Sequence, residues 1–181
     1  DGDSLISAKL CEIGDKVIIG THDGIAIRFD ESAVRDMGRA ATGVIGIRLE
    51  KGDFVIGSLV IKRTSTVMVV TDKGYGKRSD VNDYRITNRG GKGIITVKTT
   101  EKTGKLMSIM ELNDNDELIC ITSGGMVIKM AAKDIRTMGR NTQGVRIINL
   151  KDHDSITDIA KVVPDDDDTA GENGDAEETL L

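Results

Sequence analysis

Apolar residues in this chain come in short runs, separated by polar turns that carry glycine. Runs of five or so residues, rich in Val and Ile, predict β-strands rather than helices. The run DKVIIGTHDGIAIRF at 15–29 recurs as STVMVVTDKGYGKRS at 65–79 and as DELICITSGGMVIKM at 116–130, at offsets of 50 and 51 residues. A second element keeps the same phase: MGRAATGVIGIRL (37–49), NRGGKGIITVK (88–98) and MGRNTQGVRIINL (138–150). Two elements sharing one period over three copies define a repeat, with units near 11–62, 63–112 and 113–163.

Each unit resolves into four predicted strands. The first covers 17–21, 67–71 or 118–122 and ends at a hairpin turn (His22-Asp23-Gly24, Asp72-Lys73-Gly74, Ser123-Gly124-Gly125). The second follows at 25–29, 75–79 or 126–130. A basic connection leads to a third at 44–49, 94–98 or 145–150, and a fourth spans 54–61, 106–110 or 156–162. Four strands per unit at this period is the arithmetic of propeller blades, an all-β class. Residues 3–10 match 53–60, so a further fourth strand is expected at the start. Three blades fall below the roughly four to eight of a closed propeller, so more repeats are expected before these. After Pro164 the pattern stops, and 164–181 is expected to be a disordered acidic tail.

Charge sharpens this picture. The net charge of −5 averages two unlike segments, because residues 165–181 hold eight of the 30 acids and no Lys or Arg. With those set aside, 22 acids face 25 basic residues and the body is mildly positive. Such asymmetry points to a nucleic-acid ligand with an attached competitor, or to a solubilising tail. In the second unit Lys73, Lys77, Arg78, Arg85, Arg89, Lys92 and Lys98 cluster, with in-phase counterparts such as Arg28, Arg35 and Arg39, then Lys129, Arg136 and Arg140. Recurrence in phase predicts one row of cations along successive blades. Such a row suits a bent duplex, whose phosphates release counterions when neutralised and carry no sequence information. Four aromatic residues (Phe29, Phe54, Tyr75, Tyr84) are too few for a single-strand stacking platform.

Catalytic chemistry finds little support. His22 and His153 lack partners at metal-ligand spacing, and Asn88-Arg89-Gly90-Gly91-Lys92-Gly93 lacks the Walker A pattern. That segment reads either as a loop admitting a phosphate to the backbone or as a structural bend. Cys11 and Cys120 are expected to be buried thiols, as in a reducing cytoplasm, and Met37 and Met138 to plug the core. No stretch approaches the ~18 apolar residues of a membrane span.

The runs GYGKR (74–78), RGGKG (89–93), AVRDMGRAATGVIGIRL (33–49) and MGRNTQGV (138–145) strongly resemble the C-terminal domain family of DNA gyrase A. The resemblance covers 1–163 and implies a β-pinwheel of six blades, neighbours exchanging a strand, of which these are the last three. It further implies a non-catalytic piece that binds and wraps duplex DNA non-specifically along a basic rim. The whole enzyme, an A2B2 complex of gyrase A with gyrase B, is a topoisomerase that uses ATP and Mg to supercoil DNA negatively in the bacterial cytoplasm. Carried over by position, the rim candidates are Arg28, Arg35, Arg39, Lys77, Arg78, Arg85, Arg89, Lys92, Lys129, Arg136 and Arg140. The family's wrapping motif, QRRGGKG, has only a degenerate copy at Thr87–Gly93, so binding is expected without full wrapping. Two alternatives remain: the equivalent domain of topoisomerase IV, and a propeller-like protein-interaction module, whose sign would be an apolar rim.

Overall fold

The computed structural model describes residues 3–62 and 64–162; the expected disordered tail at 164–181 lies outside them. Among these residues, eleven strands form three antiparallel sheets. In the first, β1 (Lys16–Thr21) and β2 (Ile25–Asp30) make the hairpin and β3 (Val55–Ile61) lies beside β1. The second repeats this with β4 (Thr66–Thr71), β5 (Tyr75–Asp80) and β7 (Leu106–Leu112). The third contains β8 (Glu117–Thr122), β9 (Val127–Ala131) and β11 (Ile156–Lys161).

The hairpins close identically. Gly24, Gly74 and Gly125 each adopt positive φ (84°, 79° and 79°) and donate to the carbonyl of Thr21, Thr71 or Thr122. The hydroxyl of each Thr accepts from the N–H four residues on. A residue with a Cβ is strained at such φ values, so glycine sets the turn.

The third strands of the second and third units leave their own sheets, while the first unit's expected third strand at 44–49 forms only an isolated bridge, Ile47 with Gly91. β6 (Ile94–Ile95), from the second unit, pairs with β2 of the first, with Ile95 opposite Ile25. β10 (Val145–Arg146), from the third, pairs with β5 of the second, with Val145 opposite Gly76. The strand exchange implied by the resemblance is therefore present at both junctions. These strands are two residues long rather than five or six. Each is a hook that touches its neighbour's edge, while the flanking residues run on as loop.

Packing follows from the exchange. Alternate residues of β4 point to opposite neighbours: Val67 and Val69 join Ile18, Leu59 and Ile61 of the first blade, while Met68 and Val70 join Leu118, Cys120 and Ile156 of the third. A strand covered on both faces reads as an unbroken apolar run, which explains VMVV at 67–70. Among the described residues, the first and third blades each have one face packed against another blade. The outer face of the first carries only a small cluster of Ile27, Phe29 and Ile47, and Ile121 of the third stays 40% exposed.

Three expectations need correction. Residues 3–10 form no strand, because a fourth strand pairs with the first strand of its own blade, as β3 does with β1, and none is available to it among the described residues. Cys11 lies just after this stretch and is exposed, whereas Cys120 is buried. Met37 is 37% exposed and Met138 half-buried, so neither plugs a core.

Candidate nucleic-acid interface

After β2, β5 and β9 the chain makes one 3-10 turn, at Glu31–Ala33, Val81–Asp83 and Ala132–Asp134. Arg35, Arg85 and Arg136 follow these turns at equivalent places. All three are exposed, and among the described residues none has an ion pair or hydrogen bond through its side chain. Lys92 is also exposed and only approaches Glu50, at 3.9 Å. Arg85 and Lys92 line a cleft of about 320 Å³ beside β2, together with Arg28, Asn88 and Gly91. Unpaired guanidinium groups at one level of three blades offer strong donors to an anion that runs across all of them.

The other basic candidates are placed differently. Arg28 donates through Nη1 to the carbonyls of Val81 (2.9 Å) and Tyr84 (3.2 Å) in the next blade. Arg78 stands in the same phase and is 4% exposed, with Nε on Thr66 Oγ1, Nη1 on the Ala132 carbonyl and Nη2 on Asp114. Pointing the other way, Arg89 donates to the carbonyls of Ala33 and Ile45, and Arg140 to those of Asp83 and Ile95. These four arginines tie blade to blade. Their in-phase copies in the first and third units clamp no other blade among the described residues. Arg39 is exposed with no partner among the described residues, and Lys129 pairs only with Glu117 in its own sheet.

Lys77 is fully buried, and its ammonium donates to the carbonyls of Gly139 (2.7 Å) and Arg140 across the second junction. Burial, reinforced by the neighbouring Arg140 guanidinium, pushes its pKa down from 10.5 to about 8. Between those two values the unfolded chain holds the proton that the folded chain has released, so stability rises with pH across that window. Relative to Lys77→Met, the wild type should gain up to about 3 kcal/mol from pH 7 to 10.5. Urea titrations of both proteins along that pH series test this, and parallel curves would exclude it.

The glycine loop at 89–93 belongs to the first junction. The Gly90 N–H donates to the Gly46 carbonyl at 2.6 Å, and the Gly91 carbonyl accepts from the Arg48 N–H at 2.9 Å. This favours the structural bend over a cradle of free N–H groups. Among the described residues, one group could gather metal-ligand atoms, His22, Asp23 and Asp53. Its carboxylates already accept from the N–H of Asp23 and Phe54 and from Lys105, which ties the first hairpin turn down.

Sequence reasoning missed the junction arginines. Their recurrence was legible, but a period enforced by blade contacts looks the same as one enforced by a ligand.

The family described as DNA gyrase C-terminal domain, beta-propeller, matches residues 15–62, 65–113 and 116–162. The DNA gyrase A chain of Ureaplasma parvum serovar 3 is 45% identical over 88% of this chain and 19% of that protein. The DNA gyrase A chain of Staphylococcus aureus (strain NCTC 8325 / PS 47) is 42% identical over 99% of this chain and 20% of that protein. The chain thus spans about a fifth of the length of the curated relatives it matches. A solved DNA gyrase A C-terminal domain superposes with a TM-score of 0.77 at 26% identity, over 83% of this chain and 51% of that one. The C-terminal domain of DNA topoisomerase IV gives 0.77 at 22% identity, over 83% and 47%, a likeness of fold.

Proposed function

The chain belongs to the family of DNA gyrase C-terminal β-propeller domains, and we propose that it binds duplex DNA through Arg35, Arg85 and Arg136, one arginine per blade. The observation that carries this reading is their shared state: exposed, in phase and unpaired among the described residues. Lys92 extends the row within the second blade, and Arg39 and Lys129 extend it at the two ends. Arg28, Lys77, Arg78, Arg89 and Arg140 act behind this surface, by holding the blades in the register that aligns it. Contacts of this kind read phosphate and not base edges, so binding is independent of sequence. Within the longer protein, this surface would hold duplex beside the cleaved segment during ATP-dependent supercoiling by an assembly with gyrase B.

Binding to a random-sequence duplex, followed by fluorescence anisotropy, is expected to weaken steeply with salt. Three arginines with Lys92, Arg39 and Lys129 make six phosphate contacts, for which log K falls with log salt at a slope of about −5.4. A flat profile between low and physiological salt would remove the electrostatic basis. A relaxation assay on closed-circular DNA separates adhesion from wrapping. Because the motif at 87–93 is degenerate, the linking number is expected to stay unchanged at saturating protein.

A further inference from the structure

The two junctions inside the chain share one plan and differ in what fills them. Ile27 and Lys77 hold the same position on the second strand of their blades, since Ile27 pairs with Ile19 and Lys77 with Val69. At the second junction the Lys77 side chain is buried, and its ammonium donates to the carbonyls of Gly139 and Arg140. At the first, Ile27 is shorter and brings no charge. Asn88 and Arg89 stand there in phase with Gly139 and Arg140, and the cleft of about 320 Å³ is lined by Ile27, Asn88 and Gly91 among others.

The in-phase arginines differ in the same way. Arg78 has Thr66 Oγ1 on its Nε and the Asp114 carboxylate on its Nη2. Lys16 takes the place of Thr66 in the first blade, and Arg28 lacks both partners. Its Nη1 donates to two carbonyls, and its Nε is buried without a partner. Burial lowers the Arg28 pKa, and the charge of Asp80 offsets part of that shift. Arg85 and Lys92 line the same cleft, and no residue lining it is acidic. Lys92 comes within 3.9 Å of Glu50, with both side chains largely exposed. Charge held away from water ordinarily has a counter-charge, and around Arg28 the described residues supply none as an ion pair.

We infer that the cleft at the first junction binds a free phosphate monoester, held by Arg28, Arg85 and Lys92. Near neutral pH a monoester carries a charge of about −1.5 to −2 and three acceptor oxygens, so it can serve several donors at once. Guanidinium groups suit it because their forked N–H groups match two of its oxygens. The Asn88 side-chain amide adds a further donor. Ala26, Ile27 and Ile94 offer an apolar wall to the group esterified to the phosphate. A duplex backbone is a diester with less charge, and it meets the exposed Arg85 and Lys92 without having to reach the half-buried Arg28. Occupancy of the cleft is independent of DNA binding. Because Arg85 and Lys92 also belong to the proposed duplex row, a bound monoester would compete with the duplex, and that consequence alone rests on the DNA reading.

Methyl phosphate, titrated into the whole chain at constant ionic strength and followed through backbone amide resonances, tests the site. The expected result is one saturable shift of the Asn88, Gly91 and Lys92 amides, with their second-junction counterparts Gly139, Thr142 and Gln143 unmoved. Dimethyl phosphate, the matching diester, should bind at least about tenfold more weakly. Arg85→Gln should weaken methyl phosphate binding about tenfold, through loss of one charge-assisted hydrogen bond. Arg136→Gln, an exposed site at the equivalent place on the third blade, should leave it unchanged. Equal shifts at both junctions, or equal losses in the two arginine variants, would reduce the binding to general attraction by basic surface and overturn the inference. Equal affinity for the two esters would assign the cleft to a duplex phosphate, and that result overturns it as well.

Discussion

Replacing Arg78 with alanine is expected to lower unfolding free energy by about 3–4 kcal/mol, the largest stability loss of any basic residue in the chain. The guanidinium is buried, and it joins Thr66 of its own blade to the Ala132 carbonyl of the next and to Asp114. Truncation leaves the buried Ala132 carbonyl without that donor and opens space beside the second junction. Arg28→Ala, in the same phase, should cost less, about 1–2 kcal/mol, because its head is only half-buried and its Nε already lacks a partner. Lys129→Ala should change stability by less than about 0.5 kcal/mol, since its ion pair with Glu117 is exposed. Urea denaturation of the three variants measures this gradient. Equal losses at all three positions would mean that blade contacts do not decide what these cations do.

The triple variant Arg35→Ala/Arg85→Ala/Arg136→Ala should show the opposite profile. Removing three phosphate contacts reduces the salt slope by about 2.7 and weakens duplex binding about a hundredfold near 0.1 M salt. Stability should stay within about 0.5 kcal/mol per substitution, because the three side chains make no hydrogen bond or ion pair among the described residues. Lys51→Ala/Lys102→Ala/Lys151→Ala is the matched control: the same charge is removed from exposed sites outside the row. If both triples weaken binding equally, net charge governs the interaction and the row has no special role.

The resemblance to the gyrase family was carried by short motifs, and it predicted the strand exchange. Periodicity alone did not, for it assigned all four strands of a repeat to one blade. Backbone pairing is invisible in a local pattern: Ile94-Ile95 reads as a strand whichever edge it joins. Residues 3–10 show the converse. They carry the pattern of a fourth strand and form none, because a strand requires a partner and the described residues offer none.

The all-β class, the three units, their hairpin turns and the phase of every basic residue are all written in the order of amino acids. They follow from local chemistry: the alternation of apolar residues, the freedom of glycine at positive φ, and a period long enough for four strands. What each in-phase cation does was settled later, by the packing of one blade on the next. Arg28 and Arg78 clamp the following blade, whereas Lys129, in the same phase, pairs only with Glu117 among the described residues. Arg89 and Arg140 clamp the preceding one, while Arg39 has no partner among the described residues. A charged side chain takes its role from whichever carbonyl, carboxylate or solvent lies within reach, and that neighbour comes from another blade some fifty residues away in the chain.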